Sequence, residues 1–182
     1  MTAAALTLQG FPESAPQARR LAAALTIPFS EIAARRFPDG ESLVRVGDVA
    51  DTVILYRSLN DPNTKLVELM LAASALRDAG ARRLVLVAPY LCYMRQDAEF
   101  HAGEAVSQRI IGRFLDSLID GVITVDPHLH RTRSLAAVFP TARAVAVSAA
   151  GLLAARLHDK GLAGDAIIVG PDSESRQWVE AV

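Results

Sequence analysis

The chain has 182 residues, of which 51% are hydrophobic, and its 19 basic and 20 acidic residues give a net charge of −1. This fits one large globular domain or two small ones, and the balanced charge argues against a nucleic-acid binder. The single cysteine, Cys92, excludes an internal disulfide and fits a reducing compartment. No signal-peptide pattern is visible, and the longest charge-free interior run, 144–155, is too short to span a bilayer. We therefore expect a soluble, cytoplasmic protein without membrane contacts.

The predicted elements alternate between strands and helices along the chain. In order they are strand 6–9, helix 14–25, strand 42–46 after an Asp39-Gly40 turn, strand 52–56, a helix from the Asn60–Asn63 cap to Gly80, strand 84–88, helix 104–118, strand 121–125, strand 144–147, helix 148–158, strand 166–169 and a last helix opening near 176. This spacing is typical of βαβ units and predicts an α/β fold with a doubly wound, mainly parallel sheet.

Two of the predicted helices carry apolar stripes at helical spacing. In the helix before Gly80 the stripe is Leu66, Leu69, Met70, Ala73 and Leu76. In helix 104–118 it is Val106, Ile110, Phe114 and Leu118. The period of 3.6 residues predicts that each stripe packs on the sheet.

Polar side chains follow three of the predicted strands, at the point where each strand ends. They are Arg95, Gln96 and Asp97 after strand 84–88, Asp126, His128 and His130 after strand 121–125, and Asp172 after strand 166–169. In a parallel sheet these ends meet at one edge, where open α/β folds bind ligands. The second group alternates with period two, so in extended backbone it would share one side. It is a candidate divalent-metal site, either for a hard cation shared with phosphate oxygens or for zinc.

Each group also has a simpler interpretation. Segment 95–97 can be a solvated loop in which the arginine pairs with the aspartate, and Asp126–Pro127 can be a turn with exposed histidines. Segment 39–41 can be only a hairpin turn, and Cys92 a small filler without a CxxC partner. On composition alone the solvated loop is preferred for 95–97, and the case for function rests on the convergence of the strand ends at one edge. For Asp126, His128 and His130 the metal site and the turn both stay open.

Five short segments together resemble a known family. They are Phe37-Pro-Asp-Gly-Glu41, Asn60-Asp61 before a helix containing Glu-Leu, Pro89-Tyr-Leu-Cys-Tyr-Met-Arg-Gln-Asp97, Asp126-Pro-His128 and Gly170-Pro-Asp172. Their order and spacing resemble those of the ribose-phosphate diphosphokinases, or phosphoribosyl-diphosphate synthetases, over nearly the whole chain. The resemblance implies two related domains of the phosphoribosyltransferase type. Residues 1–147 would be the first, and 148–182 the incomplete beginning of the second.

The resemblance also implies a reaction and a set of residue roles. Such enzymes use Mg²⁺ and transfer the diphosphoryl group of ATP to the C1 hydroxyl of ribose 5-phosphate, giving 5-phosphoribosyl diphosphate and AMP. By position, the nucleotide-binding residues would be Asp39, Gly40, Glu41, Arg95, Gln96 and Asp97. Asp39 and Glu41 would reach the adenine of a site in the neighbouring subunit of a homo-oligomer. The metal would be held by Asp126, His128 and Asp172, with His128 catalytic at the triphosphate and Asp172 also on the ribose-phosphate side.

The chain departs from the family pattern in several places. The flexible loop with a catalytic lysine and the later ribose-phosphate loop are expected only after Val182. Ser173–Ser175 stands where many members have glycines, and His130–Leu135 also differs from many bacterial members. Two alternatives therefore stay open. The first is a catalytically silent regulatory or structural relative of the family. The second, ranked behind it, is a metal-dependent hydrolase using Asp126, His128 and His130.

Overall fold

The structure is a computed structural model that describes residues 6–162, 167–170 and 175–182. The chain divides into two compact units, Met1–Ala146 and Val147–Val182. Within the described ranges, every helix is too short or too polar to cross a membrane.

A six-stranded sheet forms the centre of the first unit. Its strands are β1 (Leu6–Gly10), β2 (Phe29–Glu31), β5 (Thr52–Tyr56), β6 (Arg83–Val87), β7 (Gly121–Val125) and β8 (Arg143–Val147). They follow the order β2-β1-β5-β6-β7-β8, and β1 pairs in parallel with both β2 and β5. The pairs β5–β6 and β6–β7 are also parallel. The predicted α/β fold with a mainly parallel sheet is thus confirmed.

A separate antiparallel hairpin joins β3 (Ala33–Arg36) and β4 (Ser42–Arg45). The helices of the first unit are α1 (Ala15–Leu25), α2 (Pro62–Asp78), α3 (Ser107–Asp116) and α4 (Leu135–Val138). Those of the second unit are α5 (Ala150–Asp159) and α6 (Arg176–Val179). Whether the second unit begins a related domain stays a prediction.

The core lies between the sheet and α2, where apolar side chains from both layers are removed from water. Leu84 and Leu86 of β6 are fully buried, and so are Leu69 and Leu76 of α2. Burying one such side chain contributes roughly 1.5–3 kcal/mol, so this layer holds β5 and β6 in place and fixes the loops at their carboxyl ends.

The element predictions fail in five places. β2, β3 and α4 were not predicted, and α3 begins at Ser107 rather than at 104. The predicted strand 166–169 is wrong for its described part, because residues 167–170 have no regular secondary structure. Residue 166 and Asp172 lie outside the described residues.

Two members of the predicted apolar stripes face solvent instead of the core. Met70 is 38% exposed and Ile110 is 51% exposed. On α3 the buried positions are Gln108, Gly112, Leu115 and Asp116. The stripe is displaced because two polar side chains on the buried face bond to backbone groups of other segments, and because the glycine lets α4 approach.

Gly112 is required where α3 meets α4. A Cβ at this position would meet the side chain of Val138 and lie 2.9 Å from its carbonyl oxygen. We therefore expect Gly112→Ala to lower the free energy of unfolding by about 1–3 kcal/mol, as overpacking does in other cores. Urea unfolding measures this. Gly121→Ala is the control, because its nearest atom would be 3.4 Å away. Equal effects of the two substitutions would contradict the close contact.

Candidate functional site

The loops after β6 and β7 meet at the carboxyl edge of the sheet, as the sequence predicts for adjacent parallel strands. The Val125 N–H donates a hydrogen bond to the carbonyl of Pro89 at 3.2 Å. Farther out, Arg131 contacts Asp97 through both its main chain and its side chain. The loops that carry the predicted nucleotide-binding and metal-binding residues are therefore tied directly together.

Asp97 is the residue through which the two loops are joined. Its side chain is fully buried. Its Oδ2 accepts the Arg131 N–H at 3.0 Å, and its Oδ1 accepts the guanidinium Nη1 at 2.9 Å. Burial pushes the pKa of this carboxyl upwards, but the two hydrogen bonds and the positive charge of Arg131 outweigh burial and hold the pKa below its usual range. The arginine is also stacked on Phe100, with 5.1 Å between its Cζ and the ring centre.

The Asp97–Arg131 pair gives a testable pH dependence. The pKa of Asp97 is lower in the folded state than in the unfolded state, where it is about 3.9. The pair therefore stabilises the protein fully above the unfolded-state pKa, and this stability is lost as pH falls through the folded-state pKa of Asp97. We expect Arg131→Ala to raise the pKa of Asp97 by about one unit or more, because burial remains while a charged partner is lost. Carboxyl carbon NMR titration measures this, with Arg133→Ala as the control. An unchanged pKa of Asp97 would show that Arg131 does not set it.

Arg95 and Gln96 have different surroundings, although they are neighbours. Arg95 is exposed, and within the described part of the chain its side chain makes no hydrogen bond or ion pair. The Gln96 amide donates to the carbonyl of Ala98 at 3.1 Å and to Glu104 at 2.9 Å. The structure thus presents an open guanidinium at the edge and uses the amide inside its own loop.

Glu104 organises the rest of this loop. Its carboxylate accepts the N–H groups of Phe100 and His101 at 3.1 and 3.2 Å, and it lies 2.9 Å from Nδ1 of the histidine. The contact with the His101 side chain, together with these N–H groups and the Gln96 amide, lowers the pKa of Glu104. The Glu104 carboxylate therefore holds the loop from 96 to 104 together through hydrogen bonds with three of its residues.

Gln108, which the sequence analysis did not single out, holds the backbone on either side of Arg95. Its N–H donates to the carbonyl of Gln96 and its Nε2 to the carbonyl of Met94, both at 3.1 Å. Its Oε1 accepts the Thr132 hydroxyl at 2.6 Å. Gln108 could have been identified from the sequence, because it is a polar residue on the buried face of α3, the helix that begins just after the loop.

The residues after β7 do not follow the extended backbone that the period-two pattern assumed. The strand ends at Val125, and Asp126 has φ +39°, in the left-handed region. The rings of His128 and His130 lie 5.8 Å apart between centroids. Within residues 6–162, 167–170 and 175–182, no three His, Cys, Asp or Glu side chains are grouped to hold a metal. These described residues therefore do not support a metal site formed by protein side chains alone. Asp172 lies outside the described residues.

The tip of the β3–β4 hairpin is a tight, self-contained turn. Phe37 N–H donates to the carbonyl of Glu41 at 2.7 Å, and the Glu41 N–H donates to Oδ1 of Asp39 at 3.1 Å. Gly40 has φ +94°, which favours glycine. Within the described residues, no hydrogen bond or ion pair links this tip to the loops after β6 and β7. Its role in a neighbouring subunit stays a prediction.

Backbone strain is concentrated at the carboxyl edge. Of the four non-glycine residues with positive φ in the described chain, three follow the carboxyl ends of strands: Asp61, Tyr93 and Asp126. Such conformations cost about 1–3 kcal/mol each and persist where the surrounding structure enforces them, often at functional sites. The Tyr93 hydroxyl donates to Asn63, which joins its loop to α2.

A cluster of buried charges, also missed by the sequence analysis, lies behind the same edge. Arg57 follows β5 and is 3% exposed. Its guanidinium donates to Glu13 at 2.7 Å, to Glu68 at 2.5 Å and to the carbonyl of Lys65 at 3.1 Å. The guanidinium carbon lies 3.7 Å from the ring centre of Phe11. Three segments of the chain are joined through this one side chain.

Comparison with known proteins places this fold and edge in a class. The structure is similar to the crystal structure of phosphoribosylpyrophosphate synthetase from Mycobacterium smegmatis, with a TM-score of 0.79 and 26% identity, over 97% of this chain and 59% of that chain. The fold is therefore of the phosphoribosyltransferase type, as predicted. The family described as the N-terminal domain of ribose phosphate pyrophosphokinase matches residues 7–118. The chain belongs to the ribose-phosphate pyrophosphokinase family.

Individual relatives agree with this assignment. The ribose-phosphate pyrophosphokinase of Methanopyrus kandleri is 36% identical over 166 residues, which is 90% of this chain and 56% of that protein. The enzyme of the same name from Thermococcus kodakarensis is 34% identical over 84% of this chain and 52% of its own length. The chain therefore spans about half the length of these curated relatives.

Proposed function

We propose that this chain is the nucleotide-binding part of a ribose-phosphate pyrophosphokinase, which transfers the diphosphoryl group of ATP to the C1 hydroxyl of ribose 5-phosphate. The observation that carries the proposal is the family match over 7–118, which includes the loop that presents Arg95 at the carboxyl edge. A reaction of this type depends on positioning and charge stabilisation rather than on a covalent intermediate. A rigid loop that aims a guanidinium at the ligand edge suits that chemistry.

Arg95 is the residue we assign to the phosphates of ATP. A guanidinium presents a planar fork of donors that matches phosphate oxygens, and this one is open. Gln108 fixes the carbonyls on both sides of it, at 3.1 Å each, so the loop is ordered before a ligand arrives. Gln96 and Asp97 support the loop from within, through Glu104 and Arg131. We assign them to positioning the nucleotide rather than to direct phosphate contact.

The residues after β7 fit Mg²⁺ only if the ion is shared with the phosphate oxygens of the substrate. Magnesium in nucleotide sites usually takes one or two protein carboxylates together with substrate phosphate oxygens and water. The Asp126 carboxylate supplies such an oxygen at the carboxyl edge, and His128 follows it in the same loop. When bound, the ion would neutralise charge on the phosphates. Asp126 and His128 are the residues that would hold it against ATP, and His128 would serve catalysis at the triphosphate. A role for Asp172 toward the metal or ribose phosphate rests on sequence alone.

We also propose a cytoplasmic homo-oligomer in which hairpin tips are shared between subunits. The tip from Asp39 to Glu41 is held by its own hydrogen bonds and is exposed. Phe37 beside it is 37% exposed, with the guanidinium of Arg35 over its ring at 4.9 Å. An aromatic and two carboxylates on a stiff projection suit an adenine in a neighbouring subunit. The buried thiol of Cys92, whose pKa burial raises to about 11, fits a reducing compartment.

The decisive experiment measures AMP formation by the full-length gene product from ATP, Mg²⁺ and ribose 5-phosphate. Stoichiometric AMP and 5-phosphoribosyl diphosphate are expected. Nucleotide binding by the chain alone is measured in parallel by calorimetry. Binding without turnover in the full-length product would instead identify the catalytically silent relative. The metal-dependent hydrolase is not favoured, and stoichiometric zinc with hydrolysis lost in His130→Ala is the result that would revive it.

A further inference from the structure

A cavity lies at the same carboxyl edge of the sheet as the loop that carries Arg95, but mainly over β1 and β5. Its volume is about 330 Å³. It is lined by the last residue of β5 and by residues that follow β1, β5 and β6: Tyr56, Glu13, Ser14, Gln17, Ser58, Asn60, Lys65 and Pro89. None of them is among the residues to which the family resemblance gives a role in ATP or metal binding. A volume near 300 Å³ is at the lower end for small-molecule sites.

The cavity occupies the topological switch point of the sheet. β1 and β5 are neighbours, but the connection after β1 leads to β2 on one side and the connection after β5 leads to β6 on the other. The two connections therefore separate above the carboxyl ends of β1 and β5 and leave a crevice between them. In open α/β sheets this crevice is where ligands bind. The switch point follows from strand order alone, although Asn60 and Pro89 of the lining belong to segments that resemble the family.

The wall of the cavity is built from fixed polar groups. Arg57 lies behind it and holds Oε1 of Glu13 at 2.7 Å. The Lys65 ammonium donates to the carbonyl of Ser58 at 2.8 Å and to Oδ1 of Asn60 at 3.1 Å, and it lies 4.0 Å from the same Glu13 oxygen. Three protein oxygens therefore already surround this ammonium. A buried and fully paired charge such as Arg57 orients its partner groups more than it adds net stability to the fold.

The groups left open to the cavity are mainly hydrogen-bond acceptors or neutral groups. Oε2 of Glu13 accepts no hydrogen bond from any residue in the described ranges, and the side chain is 39% exposed. Gln17 is exposed, and its amide and the Tyr56 hydroxyl likewise make no hydrogen bond within those ranges. The Glu13 charge is already paired with Arg57 at 2.7 Å, so the groups open to the cavity add no unpaired charge. A neutral ligand rich in hydroxyl donors is therefore favoured over an ion.

From this geometry we infer that the cavity between the carboxyl ends of β1 and β5 is a second binding site, for a neutral polyhydroxylated molecule of monosaccharide size. Glu13 would accept hydroxyl hydrogen bonds, with Arg57 fixing the orientation of its carboxylate. Gln17 and Tyr56 would complete the polar contacts, and Pro89 gives the sugar ring an apolar surface. The inference does not depend on ATP binding or on turnover.

The test is titration of the ¹⁵N-labelled chain with D-ribose and, separately, with 2-deoxy-D-ribose, followed by amide chemical shifts. We expect D-ribose to shift the amides of Ser14, Gln17 and Ser58, and the deoxy sugar to bind more weakly. Gln17→Ala and Glu13→Gln should each weaken D-ribose binding, the second by about tenfold, as expected for a hydrogen bond to a charged group. Glu31→Gln is the matched control, since that carboxylate lies on β2 and pairs with Arg19.

Several results would overturn the inference. They are shifts confined to the loop around Arg95, unchanged affinity in both Gln17→Ala and Glu13→Gln, or saturation by inorganic phosphate instead of sugar. Arg95→Ala separates this site from the proposed function. If the sugar site exists, D-ribose binding survives that substitution whatever happens to ATP. Because Gln17 is exposed and makes no hydrogen bond in the described chain, Gln17→Ala keeps the test valid even if Glu13→Gln disturbs folding.

Discussion

Replacing Arg57 by alanine is expected to lower the free energy of unfolding by about 3–5 kcal/mol, the typical effect of breaking a buried ion pair. The side chains of Arg57 and Glu68 are 4% and 10% exposed and lie 2.5 Å apart. Without the guanidinium, the Glu68 carboxylate keeps one hydrogen bond, from the Ser42 hydroxyl at 2.9 Å. The charge left behind is buried and uncompensated. Denaturant unfolding of the purified chain measures the loss.

The control for this prediction is the exposed ion pair between Arg82 and Asp51. Its side chains are 84% and 69% exposed and 3.7 Å apart, so Arg82→Ala should change stability by less than about 1 kcal/mol. A second variant, Arg57→Met with Glu68→Leu, removes both charges together and should recover much of the lost stability. If Arg57→Ala lowered the free energy of unfolding no more than Arg82→Ala does, the Arg57 cluster would not stabilise the fold in the way that its geometry indicates.

Replacing Arg95 by alanine is expected to weaken ATP binding by about 10–100-fold, because a hydrogen bond to a charged group contributes roughly 1.5–3 kcal/mol. The chain's stability should hardly change, since this side chain makes no hydrogen bond or ion pair with the described residues. Arg95→Lys keeps the charge but loses the planar fork, so an intermediate affinity is expected. Calorimetric titration with ATP and Mg²⁺ gives the dissociation constants.

Arg82 again provides a matched control, because it lies just before β6 at the opposite end of the same strand. A non-specific effect of positive charge would appear equally in Arg82→Ala and Arg95→Ala. Unchanged ATP affinity in Arg95→Ala would remove the residue from the nucleotide site. It would leave the family assignment intact, because that rests on the match over 7–118.

Much of the fold could be predicted because the central strands are encoded locally. β5, β6 and β7 are short runs of Val, Leu and Ile between turn residues, and burial in a parallel sheet requires such runs. β2 was missed because Phe29-Ser30-Glu31 is short, only partly buried and polar at its end. Its strand conformation comes from parallel pairing with β1, a tertiary interaction that a local pattern does not report.

The candidate site was predictable in position but not in its contacts. Adjacent parallel strands bring the loops with Asp97 and Asp126 to one edge, and strand order alone implies this. The partner of Asp97 is Arg131, five residues past a backbone turn with φ +39°, and no periodic rule anticipates that turn. A signal for the Arg57 cluster was present, however. Glu68 lies between Leu66 and Leu69 in sequence and on the buried face of α2, and a carboxylate buried there requires a cation.

The three left-handed residues at the carboxyl edge have a consequence for engineering this chain. Glycine adopts positive φ without the steric penalty that Asp61, Tyr93 and Asp126 bear. Selection for thermal resistance alone would therefore favour glycine at Asp61 and Asp126. Glycine at Tyr93 would also remove the hydroxyl that bonds to Asn63. Each of these substitutions would also delete a side chain at the edge to which ligand binding is assigned. At Asp126, the one of the three to which a ligand role is assigned, robustness and ligand recognition thus compete for the same position.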